Sequence, residues 1–468
     1  MKILSFNKNI KLAGSLLFAI LTFASCKKLI QIPANPPAAI TQAEQFADST
    51  TTMSAVAGVY TYDNQGVGFA YSDANLTIAT GLSSDEIANT NSTDQQQFYS
   101  YTLNPLNDVV ASLWASPYVG LYAVNDILNG ITGNNNLSAS FIKQISAEMK
   151  VVRALYYFNM VNLYGGVPLV TSTDYSTTAH LPRASDSAIY SQIIADLNDA
   201  AANLPASYPS AGRARPNLYT AQTLLAKVNL YQGNWQAAYN EADSVINSGA
   251  YVLTDSLNNV FLDGSTEAIW QIPAVQAFFA TTEGRLFVPN IIGATPDYLV
   301  APFLLNAFEP GDQRLQDWVG VTVINNLNLY YPFKYKNVLA SGTPEEDYMI
   351  FRLAEVYLIR AEAAAKMPNP NLSSALADIN IIRNRAGLPN STADGTSQTA
   401  VLAAVFHERQ TEMCFEWGSR WFDLKRTGNV GTVLTAEKGG WQPDAALYPI
   451  PQAQRQLNSL LTQNPGYN

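Results

Sequence analysis

Residues 218–249 read LYTAQTLLAKVNLYQGNWQAAYNEADSVINSG, and this stretch decides the fold. Apolar residues recur at Leu218, Ala221, Leu225 and Val228, the three-and-four spacing of one helix face. Gln232-Gly233-Asn234 then breaks the pattern. It restarts from Trp235 to Ile246 with Ala238, Ala242 and Val245 on one side, and Ser248-Gly249 closes it where glycine suits a left-handed cap. The segment predicts two helices folded back on each other.

The same pattern recurs along the chain. Leu353, Val356, Tyr357, Ala361 and Ala364 line one helical face. Glu362 can reach Lys366 at i+4, Pro368-Asn369-Pro370 forces a turn, and residues 372–385 supply the return helix. Residues 141–163 and 186–204 predict two further helices. Alanines facing a partner helix and a Gly-Asn-Trp turn resemble a tetratricopeptide repeat. The expected fold is therefore mainly α, a superhelix of tetratricopeptide-like helix pairs. It is interrupted by an irregular, loop-rich, minor-β region at about residues 261–343, where residues 268–272 and 319–324 alternate as strands. An irregular insertion of that length on a helical scaffold usually carries function.

The first residues predict the compartment. Lys2, Lys8 and Lys11 precede an apolar run, residues 12–23, too short to span a bilayer as a mature helix. Phe23-Ala24-Ser25-Cys26 resembles a bacterial lipobox, which makes residues 1–25 a lipoprotein signal peptide and Cys26 the lipid-bearing (palmitate-type) residue. Plain secretory cleavage beside an incidental cysteine is the alternative. Residues 26–40 are a Pro-rich tether before helical periodicity begins at Thr41. Cys414, the only other cysteine, has no intramolecular partner once Cys26 is lipidated, and reads as a small buried hydrophobe. The chain has 27 basic and 37 acidic residues, a formal charge of −10, which argues against nucleic acid as a partner.

Between Glu408 and Arg426 the sequence packs charge around aromatics. Glu408, Glu412 and Glu416 fall at i, i+4 and i+8, one face of a helix, and repel unless cations lie among them. Arg409, Arg420 and Arg426 are the nearest candidates. Interleaved arginines stabilise carboxylates, whereas a glycosidase acid needs a raised pKa, so the cluster reads as a buried ion-pair network and not as an acid/base site. His407-Glu408-Arg409-Gln410-Thr411 lacks the second histidine of a zinc-protease helix, and His407 reads as a solvated or packing residue at a helix start. No Gly-x-Ser-x-Gly elbow and no phosphate loop occur. Neither a metal site nor a cofactor is predicted.

Arg153-Ala-Leu-Tyr-Tyr-Phe158 leads to Leu163-Tyr-Gly-Gly-Val-Pro-Leu169, followed by Arg352-Leu-Ala-Glu-Val-Tyr-Leu-Ile-Arg-Ala-Glu-Ala363. Tyr448-Pro-Ile-Pro451 and Gln463-Asn-Pro-Gly-Tyr467 complete the order. Together these resemble the SusD/RagB family over essentially the whole chain after Cys26. Trp417 stands between Glu416 and Gly418, where many members place the glycine beside the glutamate. The resemblance implies a non-enzymatic, surface-exposed lipoprotein of the outer membrane. Its expected partner is a SusC-like TonB-dependent transporter, for which it captures a glycan, or a peptide as in the RagB branch. It also implies a SusD-like first half at 41–260 and a SusD/RagB second half at 261–468. A periplasmic tetratricopeptide scaffold without a small ligand is the reading from a different class.

Sugar binding asks for flat rings flanked by amides and carboxylates, and two segments offer them. The first, residues 60–101, has Asp63, Asn64, Tyr71, Asp73, Gln95, Tyr99 and Tyr101. The second, the irregular region, has Phe278, Phe279, Arg285, Asp312, Arg314, Trp318, Tyr330 and Tyr331, with Trp318 or Tyr331 expected at the rim of a shallow pocket. Trp114 and Trp270 read as core.

Overall fold

The structure, a computed structural model, describes residues 40–61, 69–89, 92–274, 280–291, 293–339 and 345–467. The leader, Cys26, most of the tether, Asp63, Asn64, Phe278 and Phe279 lie outside the described residues.

The helices of eight or more residues are α1 (Ser49–Val59), α2 (Asn75–Ser83), α3 (Asp108–Ile131), α4 (Ala139–Tyr164), α5 (Asp186–Asn203) and α6 (Leu218–Tyr231), followed by α7 (Trp235–Asn247), α8 (Leu353–Lys366), α9 (Leu372–Arg385), α10 (Gln398–Glu412), α11 (Ser419–Arg426) and α12 (Val430–Glu437). From α3 to α10 each helix packs on its sequence neighbour, the mode in which stacked helix pairs bury a continuous core. The 218–249 hairpin forms as expected. Asn217 caps α6 by accepting from Thr220 N at 3.0 Å, Gly233 turns at φ 73°, and Ala238 and Ala242 are fully buried. The i+4 pair of α8 also forms, with Lys366 Nζ 3.0 Å from Glu362.

Helix α4 is buried on every side from Val151 to Val161, the signature of a core helix. The second half of the superhelix joins the first without a gap, because α7 packs directly on α8. Residues 248–352 therefore loop out between two successive helices of the stack.

The loop-out carries most of the β-structure. β1 (Ile87–Asn89) pairs antiparallel with β3 (Tyr298–Val300), β2 (Ala268–Pro273) with β6 (Asp347–Arg352), and β4 (Val319–Ile324) with β5 (Leu327–Pro332). Asn325 and Asn326 both have positive φ, 51° and 64°, the two-residue turn geometry that matches strand twist. β6 is buried at every position, so it shows no alternation and is invisible to a period-two reading. Trp114 and Trp270 lie in the core as expected.

Candidate functional site

The two aromatic segments meet. Ile87, Ala88 and Asn89 pair with Val300, Leu299 and Tyr298, and Ala301 N donates to Glu86 O at 2.8 Å. Beyond the strands, the Tyr298 hydroxyl donates to Gln95 Oε1 at 2.8 Å, so the helix Thr93–Tyr99 is tied to the irregular region. On the other side β3 lies against β5, which brings up the β4–β5 hairpin. The hairpin, β3, β1 and the helix Thr93–Tyr99 are thus neighbours in turn.

The Tyr99 and Tyr101 rings share one cation. Lys438 Nζ sits 4.3 Å from the Tyr99 ring centre and 4.6 Å from that of Tyr101, while donating to Leu82 O at 2.6 Å and Ser84 O at 2.9 Å at the end of α2. Tyr101, at φ 57°, packs edge-on against Trp441 at 5.1 Å and donates to Ser83 O at 3.2 Å. Tyr331 lies over Gly320, where a Cβ would fall 2.3 Å from its ring. Tyr99, Tyr101, Arg285, Tyr330 and Tyr331 are all half-buried, and Val321, Val323 and Leu327 of the hairpin are exposed.

Two expected ligand residues are corrected. Tyr71 is buried, and burial pushes its hydroxyl well above the usual tyrosine range. Trp318 is also fully buried, donates its indole N–H to Leu257 O at 3.1 Å, and carries Lys334 Nζ 4.2 Å from its ring centre. A ring with no exposed face is closed to a sugar. Asp312 and Arg314 are likewise buried and pair with each other. Asp73 accepts from Asn75 Nδ2 at 2.7 Å.

Trp318, Asp312 and Arg314 instead belong to the charge cluster, which is a buried network with partners other than those expected. Helix α10 ends at Glu412, so Glu416 lies in the turn beyond it. Glu408 pairs with Arg314 at 2.6 Å and Arg383 at 3.4 Å. Glu412 pairs with Arg314, Arg352 and Arg385, and Glu416 with Arg352 at 2.7 Å and Lys334 at 2.5 Å. Arg409 binds Asp423, Arg420 binds Asp85, and Arg426 binds Glu362 and Asp423. Trp417, at φ 50° and followed by Gly418 at φ 72°, makes the sharp turn into α11. Its indole donates to Met349 O at 2.8 Å, and a Cβ at residue 418 would meet Thr80 Oγ1 at 2.8 Å.

Burial alone would raise the Glu412 pKa, but Arg385, Arg352 and Arg314 outweigh it and hold the carboxyl well below its ordinary range. Glu416 is lowered in the same way by Arg352 and Lys334. Glu408 departs from the expectation. Its burial outweighs Arg314, and its pKa is raised. It is 0% exposed and, among the described residues, faces only Arg314 and Arg383, which leaves it no route to a substrate. Cys414 is buried, its thiol pushed up to about 12 by desolvation. His407, in the second half of α10 and not at its start, is half-exposed and lies 3.4 Å from Glu309. Among the described residues no group of histidine, cysteine and carboxylate side chains could hold a metal.

Sequence reasoning did not single out Tyr298 or Lys438. The run of strand-favouring residues Tyr-Leu-Val at 298–300 was a signal for the first; nothing local marks the second, which acts through residues more than 300 positions away.

Residues 314–467 match the profile of the SusD family, and residues 37–230 match a family described as starch-binding and associating with the outer membrane. SusD-like protein P25 of Formosa agariphila is 25% identical over 96% of this chain and 97% of its own length. A SusD superfamily protein from Bacteroides vulgatus superposes with a TM-score of 0.80 at 21% identity, covering 90% of this chain and 99% of that one. A laminarin-binding SusD-like protein superposes with a TM-score of 0.75 at 25% identity, covering 90% of this chain and all of its own.

Proposed function

The chain belongs to the SusD/RagB family, and from that membership we propose that it is a non-catalytic outer-membrane lipoprotein that captures a glycan. In this reading Cys26 carries the lipid anchor and a SusC-like TonB-dependent transporter takes the glycan onward. The observation that carries the reading is the β1–β3 pairing with its Tyr298–Gln95 bond. It brings the segment that holds Tyr99 and Tyr101 against the segment that holds Tyr330 and Tyr331, which supports the reading because half-buried rings of this kind stack on sugar faces.

The non-catalytic part is supported by the charge network, whose carboxylates are committed to guanidinium partners in the interior. The family description as starch-binding and the laminarin-binding neighbour favour a polysaccharide ligand. Affinity electrophoresis in gels containing laminarin or starch tests the reading. Retarded migration is the expected result. Absence of retardation in every polysaccharide, with binding of peptides instead, would move the function to peptide capture.

A further inference from the structure

We infer a second carbohydrate-binding site in an open cavity of about 380 Å³ between α3, residues 168–181 and the short helix Gln452–Leu457. This inference rests on the glycan-capture reading and extends it to neutral sugars and to two contact points on one chain.

The cavity lies at the end of a relay of ring contacts through the core, starting from the first site. Tyr101 touches Trp441, Trp441 touches Trp421, Trp421 stacks on Tyr448, Tyr448 touches Tyr164, and Tyr164 touches Trp114. Trp114 and Tyr118, one turn apart on α3, line the cavity together with Tyr175, His180, Gln454 and Leu457. Tyr175 is 78% exposed and Leu457 73% exposed, an open aromatic and an open aliphatic side chain at a concave site. Isolated exposed apolar residues need no explanation, but paired ones at a cavity mouth mark binding surfaces.

Polar groups in the cavity are available. Among the described residues neither the His180 imidazole nor the Gln454 carboxamide has a hydrogen-bond partner. Flat rings beside an unengaged amide and imidazole suit a pyranose, which offers a C–H face for stacking and hydroxyls for bonding. The lining also has no aspartate, glutamate, lysine or arginine. Apart from the imidazole of His180, a uronate or sulfate would find no cationic side chain there, and the chain's net charge of −10 would oppose its approach. The site therefore takes a neutral sugar.

The walls are fixed without ligand. Tyr118 Oη donates to Pro168 O at 2.9 Å, and Asn125 Nδ2 and Tyr157 Oη donate to Val170 O at 3.0 and 2.8 Å. Asn458 Nδ2 donates to Leu181 O at 2.9 Å. Arg183 ties the segment to the C-terminal residues through Thr462 O at 3.0 Å and Asn464 Oδ1 at 2.7 Å. The volume falls within the roughly 300–1,000 Å³ of small-molecule sites.

The test compares the purified protein with Tyr175→Ala/His180→Ala and, as a second variant, Gln454→Ala, in gels containing laminarin, starch or the acidic polymer alginate, and by calorimetric titration with laminari-oligosaccharides and malto-oligosaccharides. Two contact points on one polymer add avidity, so the variants should lose roughly tenfold or more in retention by a neutral polysaccharide. Stoichiometry for the short sugar should fall from two to one, with the melting temperature unchanged because the altered side chains are at the surface. Unchanged retention and stoichiometry overturn the second site, and alginate binding lost in these variants overturns its neutral class. Binding abolished here but untouched by Tyr99→Ala/Tyr330→Ala upholds the cavity and overturns the first surface. A wild-type protein that binds no polysaccharide overturns both.

Discussion

Tyr298 donates its hydroxyl to Gln95 Oε1 at 2.8 Å across 203 residues of sequence, locking a three-residue strand pair that would otherwise be marginal. Replacing Tyr298 by Phe removes the hydrogen bond and keeps the ring, which packs edge-on to Phe287 at 5.4 Å. A stability loss of about 1 kcal/mol is expected, read from urea midpoints. Glycan affinity should fall more than stability does, because the bond positions the two halves of the surface.

Arg352 donates to both carboxylate oxygens of Glu416, at 2.9 and 2.7 Å, and to Glu412 at 2.5 Å. Arg352→Leu leaves those carboxylates buried beside a lost cation, a change that costs about 3–5 kcal/mol. Denaturant unfolding should show that loss, while any polysaccharide binding by the remaining folded protein should persist. The network fixes the packing of α8, α9 and α10.

Glu283 is buried against Thr77, and desolvation pushes its carboxyl up to about 8 from an ordinary value of 4.5. Between those two values the folded chain holds a proton that the unfolded chain has released. This group's contribution therefore weakens as pH rises from about 4.5 to about 8 and is level above that. Glu283→Gln lacks the titration. Wild type should lose stability relative to the variant between pH 5 and pH 8, and parallel curves would show that Glu283 is not protonated in the fold.

Gly320 opposes Tyr331 on the β4–β5 hairpin, and an added Cβ would fall 2.3 Å from the far edge of the ring. A half-exposed ring can swing away, so Gly320→Ala should leave the melting temperature within a few degrees. It should weaken polysaccharide retention by displacing Tyr331. Equal retention would remove Tyr331 from the binding surface.

Much of the helical scaffold was legible because amphipathic periodicity and caps are local. Residues 218–231 and 372–385 form helices with the expected ends, and residues 319–324 form a strand as predicted. Four strands escaped notice. β1 and β3 are only three residues long. β6 is buried on both faces and has no period, while β5 follows an Asn-Asn turn whose strand residues mix polar and aromatic types. The site was legible only as two segments. Which rings face outward depends on partners far away in sequence. Trp318 is covered by Lys334, Arg352 and Arg385, and nothing in residues 312–318 announces that. Likewise the cations of Glu408 and Glu412 come from Arg314, Arg352, Arg383 and Arg385, because ion pairing follows the packing of helices and not proximity along the chain.

Affinity electrophoresis of Tyr99→Ala/Tyr330→Ala beside wild type, in laminarin and starch gels, tests glycan capture at the converged surface most directly. Wild type should be retarded by at least one of the polymers. The double variant should lose about tenfold in affinity, on the order of 1.4 kcal/mol, with its melting temperature preserved. Equal retardation of variant and wild type, or of neither in any polymer, would contradict capture at that surface.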